Sequence, residues 1–253
     1  IKTLLINAGN ESGILDRGSV HQMGTIIRGE NGQPFPYFFG YKTDGVFQNW
    51  GEVYAYTNAE GKLIQPDAQP GDFRYQDING DGSVTAAGDR TNLGKCVPSW
   101  TYGINASIDW KGIDFSMVWQ GVAGNKIFDA TRRTDIPTMN QPKYVLNRWT
   151  GEGSTNDYPR FTVTDPNQNW SKASDFFIKD ASYFRLKNVT LGYTLPVNWT
   201  NKIFVKKFRV YVACENALTF TKYDGFDPEI ADYVDRGIYP QARTVQFGAN
   251  ITF

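Results

Sequence analysis

Apolar and polar residues alternate with a period of two in several segments of this 253-residue sequence, and this alternation limits the fold more than any other feature. From 244 to 253 every odd position is apolar and every even position is polar or glycine. The pattern returns over 100–110, 113–120, 183–195 and 208–214. Because successive side chains of a strand point to opposite faces, each segment predicts a strand with one apolar face and one polar face.

The connections between these strands alternate between short and long. A tight turn near 109–112 joins the first two strands and 196–205 joins the third and fourth, whereas 122–181 and 217–243 are long. Compact soluble domains seldom contain structureless connections of that length, but transmembrane β-barrels combine short turns at one end with long loops at the other. The pattern favours an all-β fold, an antiparallel transmembrane β-barrel with long extracellular loops. A soluble β-sandwich, with its apolar face buried on a second sheet, stays open as the alternative.

The composition narrows the possible functions. Lys and Arg together number 26, and so do Asp and Glu, which leaves no basic excess for a nucleic-acid partner. The single histidine, His21, disfavours histidine-rich zinc sites and a Ser-His-Asp triad. Cys96 and Cys214 cannot form a disulfide framework. No nucleophile motif accompanies carboxylates such as Asp227 and Glu229, so we predict that the protein is not an enzyme. An extracellular glycosidase would need two carboxylates at a set separation, which the sequence cannot locate.

One loop has the residue spacing of a calcium site. Asp77, Asn79 and Asp81 supply oxygen atoms at alternate positions, and glycine stands at the sharp bend that follows. The remaining predicted ligands are Ser83 through its carbonyl group, Thr85 through water, and Asp89 one residue later than the usual acid. We expect such a calcium ion to stiffen an extracellular loop. A metal-free turn is the alternative, because Asn-Gly and Asp-Gly sequences favour turns without any ion.

Several motifs together resemble the SusC/RagA-type TonB-dependent outer-membrane transporters. They are YFRLKNVTLGYTLP at 183–196, GYKTDGVFQ at 40–48, the run from 70 to 94, and YDGFDPE at 223–229 followed by Tyr-Pro at 239–240. They occur in order over most of the chain, which therefore resembles the C-terminal portion of such a transporter. Aromatic residues of the long loop (Trp149, Tyr158 and Trp170) could stack on sugar rings, belong to an aromatic girdle, pack within the loop or contact a partner.

The resemblance implies a plugged barrel of about 22 strands, of which this chain would hold the C-terminal strands. Residues 1–41 would then be barrel strand(s) and a connecting segment, 42–99 an extracellular loop with the calcium loop, and 100–253 the C-terminal barrel strands with long loops at 122–181 and 217–243. If the strand that includes Phe253 descends to the periplasm, the turns 109–112 and 196–205 are periplasmic. The calcium loop then lies outside the cell.

The resemblance also implies a function and partners. The protein would belong to an importer of glycans or peptides in the outer membrane of a Gram-negative bacterium. Its partners would be a SusD-like surface lipoprotein, an oligosaccharide or peptide substrate, outer-membrane lipid, and the TonB complex through a region absent from this chain. The alternative function is that of a secreted, calcium-stabilised β-sandwich that binds carbohydrate. In a barrel the apolar strand faces meet lipid, whereas in a sandwich they are buried.

Overall fold

The computed structural model describes residues 4–21, 23–132 and 140–253, and most of its regular elements are strands. The strands in these ranges are β1 (Ile14–Ser19), β2 (Thr25–Glu30), β3 (Tyr37–Tyr41), β4 (Thr43–Val46), β5 (Phe73–Tyr75), β6 (Arg90–Lys95), β7 (Trp100–Trp110), β8 (Ile113–Ala123), β9 (Lys126–Asp129), β10 (Ile178–Asp180), β11 (Tyr183–Thr194), β12 (Lys207–Thr221), β13 (Val234–Asp235) and β14 (Thr244–Thr252). The helices are α1 (Trp50–Ala55) and α2 (Val197–Thr200), with 3-10 turns at Lys143–Asn147, Asp175–Phe177 and Asn201–Ile203. Within the described ranges, no helix has the length and apolar character needed to cross a membrane.

All five predicted strands lie in one antiparallel sheet with the order β14-β12-β11-β8-β7. Each strand pairs with the preceding strand of this sheet along the chain, so the sheet is an up-and-down meander. Two strands run further than their alternation predicts. β8 ends at Ala123 and β12 at Thr221, so the long connections begin at 124 and 222 rather than at 122 and 217. The reason is backbone pairing, because Tyr183 of β11 still pairs with Val122 on one side and Thr221 on the other.

The two ends of this sheet differ. At one end the chain continues into the long segments, and the Ser99 N–H donates to the Ala123 carbonyl at 2.8 Å. The opposite end carries only the turns 111–112 and 195–206. Here the Thr194 N–H donates to the Gly112 carbonyl at 2.7 Å. We call this second end the turn end. The described part of the sheet is open, with β7 and β14 at its edges, and the number of strands in a complete barrel stays a prediction.

The sheet has an apolar face and a polar face, as the alternation predicts. Residue pairing places Ile108, Phe115, Leu191, Val212 and Phe247 in one row across the five strands. The neighbouring row, on the other face, contains Ser107, Ser116, Thr190, Ala213 and Gln246. A bulge at Lys187 leaves Leu186 and Val189 on the same face despite their odd spacing, because one extra residue is left unpaired.

The segments outside this sheet pack together into a second structured region, which we call the cap (residues 4–99, 124–182 and 222–243, as far as they are described). It contains the sheets β1-β2-β3-β6, β10-β9-β13 and β4-β5. Within the described ranges β1, β2 and β3 form a sheet with β6 and do not pair with the five-stranded sheet, so the assignment of barrel strand(s) to 1–41 stays a prediction. Their sequences explain the difference, because TIIRGE and YFFGY bury residues on both faces rather than alternating.

A shared core joins the cap segments. Ile26 and Phe38 from the first segment pack with Phe128, Trp170 and Phe177 from the second. A buried polar network adds to this core: the Asp72 carboxylate accepts from Arg160 Nε at 2.5 Å and from Asn169 Nδ2 at 2.8 Å. Since Asp72 is fully buried and its hydrogen bonds are satisfied, these contacts stabilise a particular arrangement of the segments. In their described parts, the predicted long loops are thus ordered.

Candidate functional site

The apolar face of the five-stranded sheet is exposed. Ile108, Leu191 and Phe247 from its central row are all exposed, and the Phe247 side chain reaches 84% exposure. The same face also exposes Ile104, Trp110, Ile113, Val210, Val245 and Ile251. Soluble monomers rarely expose a contiguous apolar patch that spans a whole sheet. This face is suited to hydrocarbon or to another apolar surface rather than to water.

The polar face contains an ion pair that crosses the central strand. Arg209 of β12 donates through Nε and Nη2 to the two carboxylate oxygens of Asp114 on β8, at 2.8 and 2.5 Å. Gly192 of β11 lies beneath this pair, and a Cβ atom there would collide with both side chains. The glycine therefore permits a bidentate bridge between strands that do not pair directly.

A second charged cluster joins the polar face to the cap. Arg185 of β11 donates through Nη2 to Asp227 at 2.6 Å and through Nη1 to Glu229 at 2.9 Å. Lys187, the bulged residue, donates to the same Glu229 carboxylate at 2.7 Å. The Arg185 and Asp227 side chains are each 4% exposed, so the pair is almost fully desolvated. This cluster, which we call the latch (Arg185, Lys187, Asp227 and Glu229), holds the segment 222–243 against the sheet.

The latch keeps its acid ionised. Burial disfavours the charged form of Asp227, but hydrogen bonds from Arg185 and from the N–H groups of Gln241 and Glu229 outweigh burial and lower the pKa of this carboxyl. Beside the latch lies a groove of about 300 Å³ that also includes Asn216 and Arg243. Its lining combines hydrogen-bonding side chains with the apolar Phe226 and Pro240. The arrangement is suited to holding a polar ligand or a loop.

The sequence alone did not assign a role to Asp227 and Glu229. A signal was present in the sequence, because Arg185 and Lys187 are charged residues within an otherwise apolar and small strand motif. A buried arginine in a strand needs a partner, and Asp227 and Glu229 are the carboxylates that the tertiary structure brings to it. The separation of 42 positions between Arg185 and Asp227 in the chain conceals this pairing from sequence analysis.

The predicted calcium loop is built from hydrogen bonds between side chains and backbone. The Asp77 carboxylate accepts from the N–H groups of Gly80 and Gly82 at 2.7 and 2.8 Å. Asp81 accepts from the N–H and hydroxyl of Ser83, and hydrogen bonds from Asn79 and Ser83 lower its pKa. Asn79 and Asp81 are exposed, so the first half of the loop presents oxygen atoms to solvent.

The second half of the loop places its acid differently. Asp89 is fully buried, and its carboxylate accepts from the Ile78 N–H at 2.7 Å and the Thr85 N–H at 2.6 Å. The predicted last ligand therefore ties the start of the loop to its end. Gly88 lies against the Asn79 amide, where a Cβ atom would collide. Among the described residues, no three or more His, Cys, Asp or Glu side chains form a group able to hold a metal ion.

The aromatic residues of the long connection pack inside the cap. Trp170 is buried, with its indole N–H donating to the Arg160 carbonyl at 3.1 Å. The Trp149 indole N–H donates to Gln48 at 3.2 Å, and Tyr158 packs edge-on against Phe176. Of the roles that the sequence left open for these residues, the structure favours packing within the loop.

The chain is similar to known proteins in its sequence and in its fold. No protein-family model matches the sequence. The chain is 31% identical to TonB-dependent receptor P3 of Formosa agariphila over 238 residues, which cover 88% of the chain and 22% of that receptor. It is 29% identical to receptor P26 of the same organism over 282 residues, covering 100% of the chain and 27% of the receptor.

Two further similarities connect the sequence and the fold. TonB-dependent receptor SusC of Bacteroides thetaiotaomicron is 24% identical over 229 residues, covering 90% of this chain and 21% of SusC. The structure of the RagAB peptide importer in the open-open state matches with a TM-score of 0.71 at 22% identity, over 98% of this chain and 25% of that chain. This second likeness shows a shared fold. The chain spans about a quarter of the length of these proteins. The predicted resemblance is confirmed, and the chain is a homologue of the SusC/RagA-type TonB-dependent receptors.

Proposed function

We propose that this protein is part of a TonB-dependent importer in the outer membrane of a Gram-negative bacterium. One observation carries the proposal, namely the exposed apolar face of the five-stranded meander. In a transmembrane barrel that face meets lipid and the opposite face lines a polar interior. The polar face here carries the Arg209–Asp114 bridge and the latch, as expected for a lumen.

The proposed cargo is a glycan or a peptide. Import of a bulky polar solute requires a lumen wall that offers hydrogen-bond donors and acceptors, and the groove beside the latch supplies such groups. Among the relatives, RagAB is described as a peptide importer, which supports the peptide half of the proposal.

The proposed partners are a SusD-like lipoprotein and the TonB complex. The cap occupies one end of the sheet, opposite the short turns, and forms a surface on which an extracellular lipoprotein could sit. We assign the TonB contact to a region outside this chain. The cap contains an ordered core rather than free loops, which supports a docking role.

We also propose that calcium binds the loop at 77–89 and has a structural role. Asp77, Asn79 and Asp81 offer oxygen atoms within one turn, and in this proposal Ser83 contributes its carbonyl group and Thr85 a contact through water. Asp89 is engaged by backbone N–H groups, so we assign it to closing the loop in addition to its predicted place as a ligand. The loop is ordered by its own hydrogen bonds, and calcium would add rigidity to it.

The alternative function, a secreted carbohydrate-binding β-sandwich, is less well supported. A sandwich buries its apolar strand faces on a second sheet. Within the described ranges the cap packs at one end of the five strands and leaves their apolar face exposed.

A membrane fractionation experiment tests the main proposal. The complete receptor containing this chain is expressed in a Gram-negative host, and its outer and inner membranes are separated on a density gradient. We expect recovery in the outer-membrane fraction, release only with detergent, and uptake of labelled oligosaccharide or peptide that requires TonB. Release into the soluble fraction without detergent would favour the sandwich instead.

A further inference from the structure

The turn between β11 and β12, residues 195–206, exposes apolar side chains that its own packing does not use. Trp199 is 63% exposed, Phe204 is 90% exposed, and Val197 is also exposed. Thr200 and Val205 are buried, and the Val205 N–H donates to the Thr200 carbonyl at 3.1 Å. The turn therefore has an inner side that holds it together and an outer side that is apolar.

Phe204 is held outward by an unfavourable backbone conformation. Its φ of 60° and ψ of 25° lie in the left-handed region, where residues with a Cβ atom are seldom found and glycine usually ends a helical turn. Phe204 follows the 3-10 turn Asn201–Ile203, and its N–H donates to the Asn201 carbonyl. Packing within the described chain does not offset the energetic cost of this conformation, because the Phe204 ring is nearly fully exposed.

Backbone hydrogen bonds fix this turn to the turn end of the sheet. The Leu195 N–H donates to the Phe208 carbonyl at 2.9 Å, and the Lys206 N–H donates to the Thr252 carbonyl at 2.8 Å. The same end of the sheet exposes Trp110 and Phe253. Exposed aromatic rings thus mark the turn end of the lipid-facing surface, where transmembrane barrels have an aromatic girdle.

The turn is also positively charged. Positions 195–207 contain Lys202, Lys206 and Lys207 and no Asp or Glu. Lys202 and Lys206 are exposed, and no ion pair engages either of them within the described part of the chain. Lys111, in the other turn at this end, places its ammonium group 4.9 Å from the ring centre of Trp110. Aromatic and cationic groups therefore occur together at this end of the sheet.

We propose that the turn 195–206 binds the headgroup layer of anionic phospholipids. Trp199 and Phe204 enter the membrane–water interface, and Lys202 and Lys206 pair with lipid phosphates while their stems lie along the acyl boundary. Uncompensated positive charge selects anionic over zwitterionic lipid, by about fivefold per lysine near the surface. The proposal rests on the membrane location given under the proposed function.

Site-specific quenching tests this proposal on the complete receptor in phospholipid vesicles. Asn201→Cys, next to Lys202, carries a fluorophore in a background with Cys214→Ser and with other accessible cysteines replaced. Cys96 needs no replacement because it is buried, and burial raises the pKa of its thiol to about 12. A phosphatidylglycerol bearing a nitroxide on its headgroup quenches the fluorophore, and unlabelled phosphatidylglycerol, phosphatidylcholine or lipid A competes.

We expect phosphatidylglycerol to displace the quencher at a several-fold lower mole fraction than phosphatidylcholine. The double variant Lys202→Gln/Lys206→Gln loses this preference, whereas Lys62→Gln, an exposed lysine of the cap, keeps it. Trp199→Ser/Phe204→Ser weakens quenching in every lipid. Salt reduces the preference for phosphatidylglycerol and leaves the aromatic contribution unchanged.

Three results would overturn the proposal. The first is equal competition by phosphatidylglycerol and phosphatidylcholine. The second is the absence of quenching in a receptor that is inserted in the vesicles. The third is stronger competition by lipid A than by phosphatidylglycerol, which would place a different lipid class at the turn. Vesicle flotation separates these outcomes from failure of the proposed function, because a protein that does not float with the vesicles is not a membrane protein at all.

Discussion

Arg185 and Asp227 form an almost fully buried ion pair, with 2.6 Å between Nη2 and Oδ1. Arg185 belongs to the polar face of the sheet, and Asp227 to the cap segment 222–243. This contact therefore joins the five-stranded sheet to a segment of the cap and helps to hold that segment in an ordered position. Glu229 and Lys187 extend the pair into a four-residue latch.

Removing the acid of the latch is predicted to release the segment 222–243. Asp227→Ala leaves Arg185 desolvated with only Glu229 to compensate it, and breaking a buried pair costs about 3–5 kcal/mol. Hydrogen exchange of the backbone amides at 222–243 should rise accordingly. Asp232→Ala is the matched control, because its pair with Arg236 is exposed and should contribute about 0–1 kcal/mol. Equal exchange in the two variants would show that the latch does not hold the segment.

The same carboxyl predicts a pH dependence. The pKa of Asp227 in the folded protein lies below its usual value, so the charged form is favoured by folding. Its stabilising effect is complete above about pH 4, the value for an unfolded chain, and is lost as the pH falls through the folded pKa. The protection of the amides at 222–243, taken as the exchange rate relative to that of an unfolded peptide at the same pH, should therefore fall on acidification. Asp227→Asn should remove that pH dependence, and a segment that loses protection as the pH rises would contradict the assignment.

Polarity should matter according to the face of the sheet. Val212→Arg points a charge at lipid and is predicted to cost about 2–4 kcal/mol near the membrane midplane. Asn250→Arg lies on the polar face, opposite Arg209 in the strand pairing, and should have a far smaller effect. Refolding into vesicles at a series of denaturant concentrations measures both. A reversed order would mean that the lipid and lumen faces have been exchanged.

The calcium proposal separates two acids of the loop. Asp81→Ala removes an exposed oxygen ligand and should weaken calcium binding in isothermal titration, while in the metal-free loop it releases only the Ser83 N–H and the Ser83 and Asn79 side chains. Asp89→Ala removes the buried acceptor of the Ile78 and Thr85 N–H groups, so it should increase hydrogen exchange at 77–89 with and without calcium. Unchanged calcium affinity in Asp81→Ala would leave only the metal-free turn.

Local chemistry determined the strands of the meander. Alternation with period two depends only on side-chain polarity and strand geometry, so 244–253 and 100–110 identified two strands and their apolar faces without any knowledge of partners. The same pattern predicted a tight turn between these first two strands. It left open whether the apolar face meets lipid or is buried on a second sheet. The motif at 183–196 pointed to the family, and the relatives confirmed it.

Only the tertiary structure decided the rest, because it depends on contacts between residues far apart in the chain. β2 and β3 bury residues on both faces, so they lack the period-two alternation of the meander strands, and the sequence pattern did not show which strands they pair with. The latch needed Arg185 and Asp227 to meet across 42 positions, and the polar network of the cap needed Asp72 to meet Asn169 across 97. The exposure of Phe204 depends on a left-handed backbone that no sequence rule assigns to phenylalanine. Periodicity reports which face of an element is apolar, whereas long-range packing decides what that face touches.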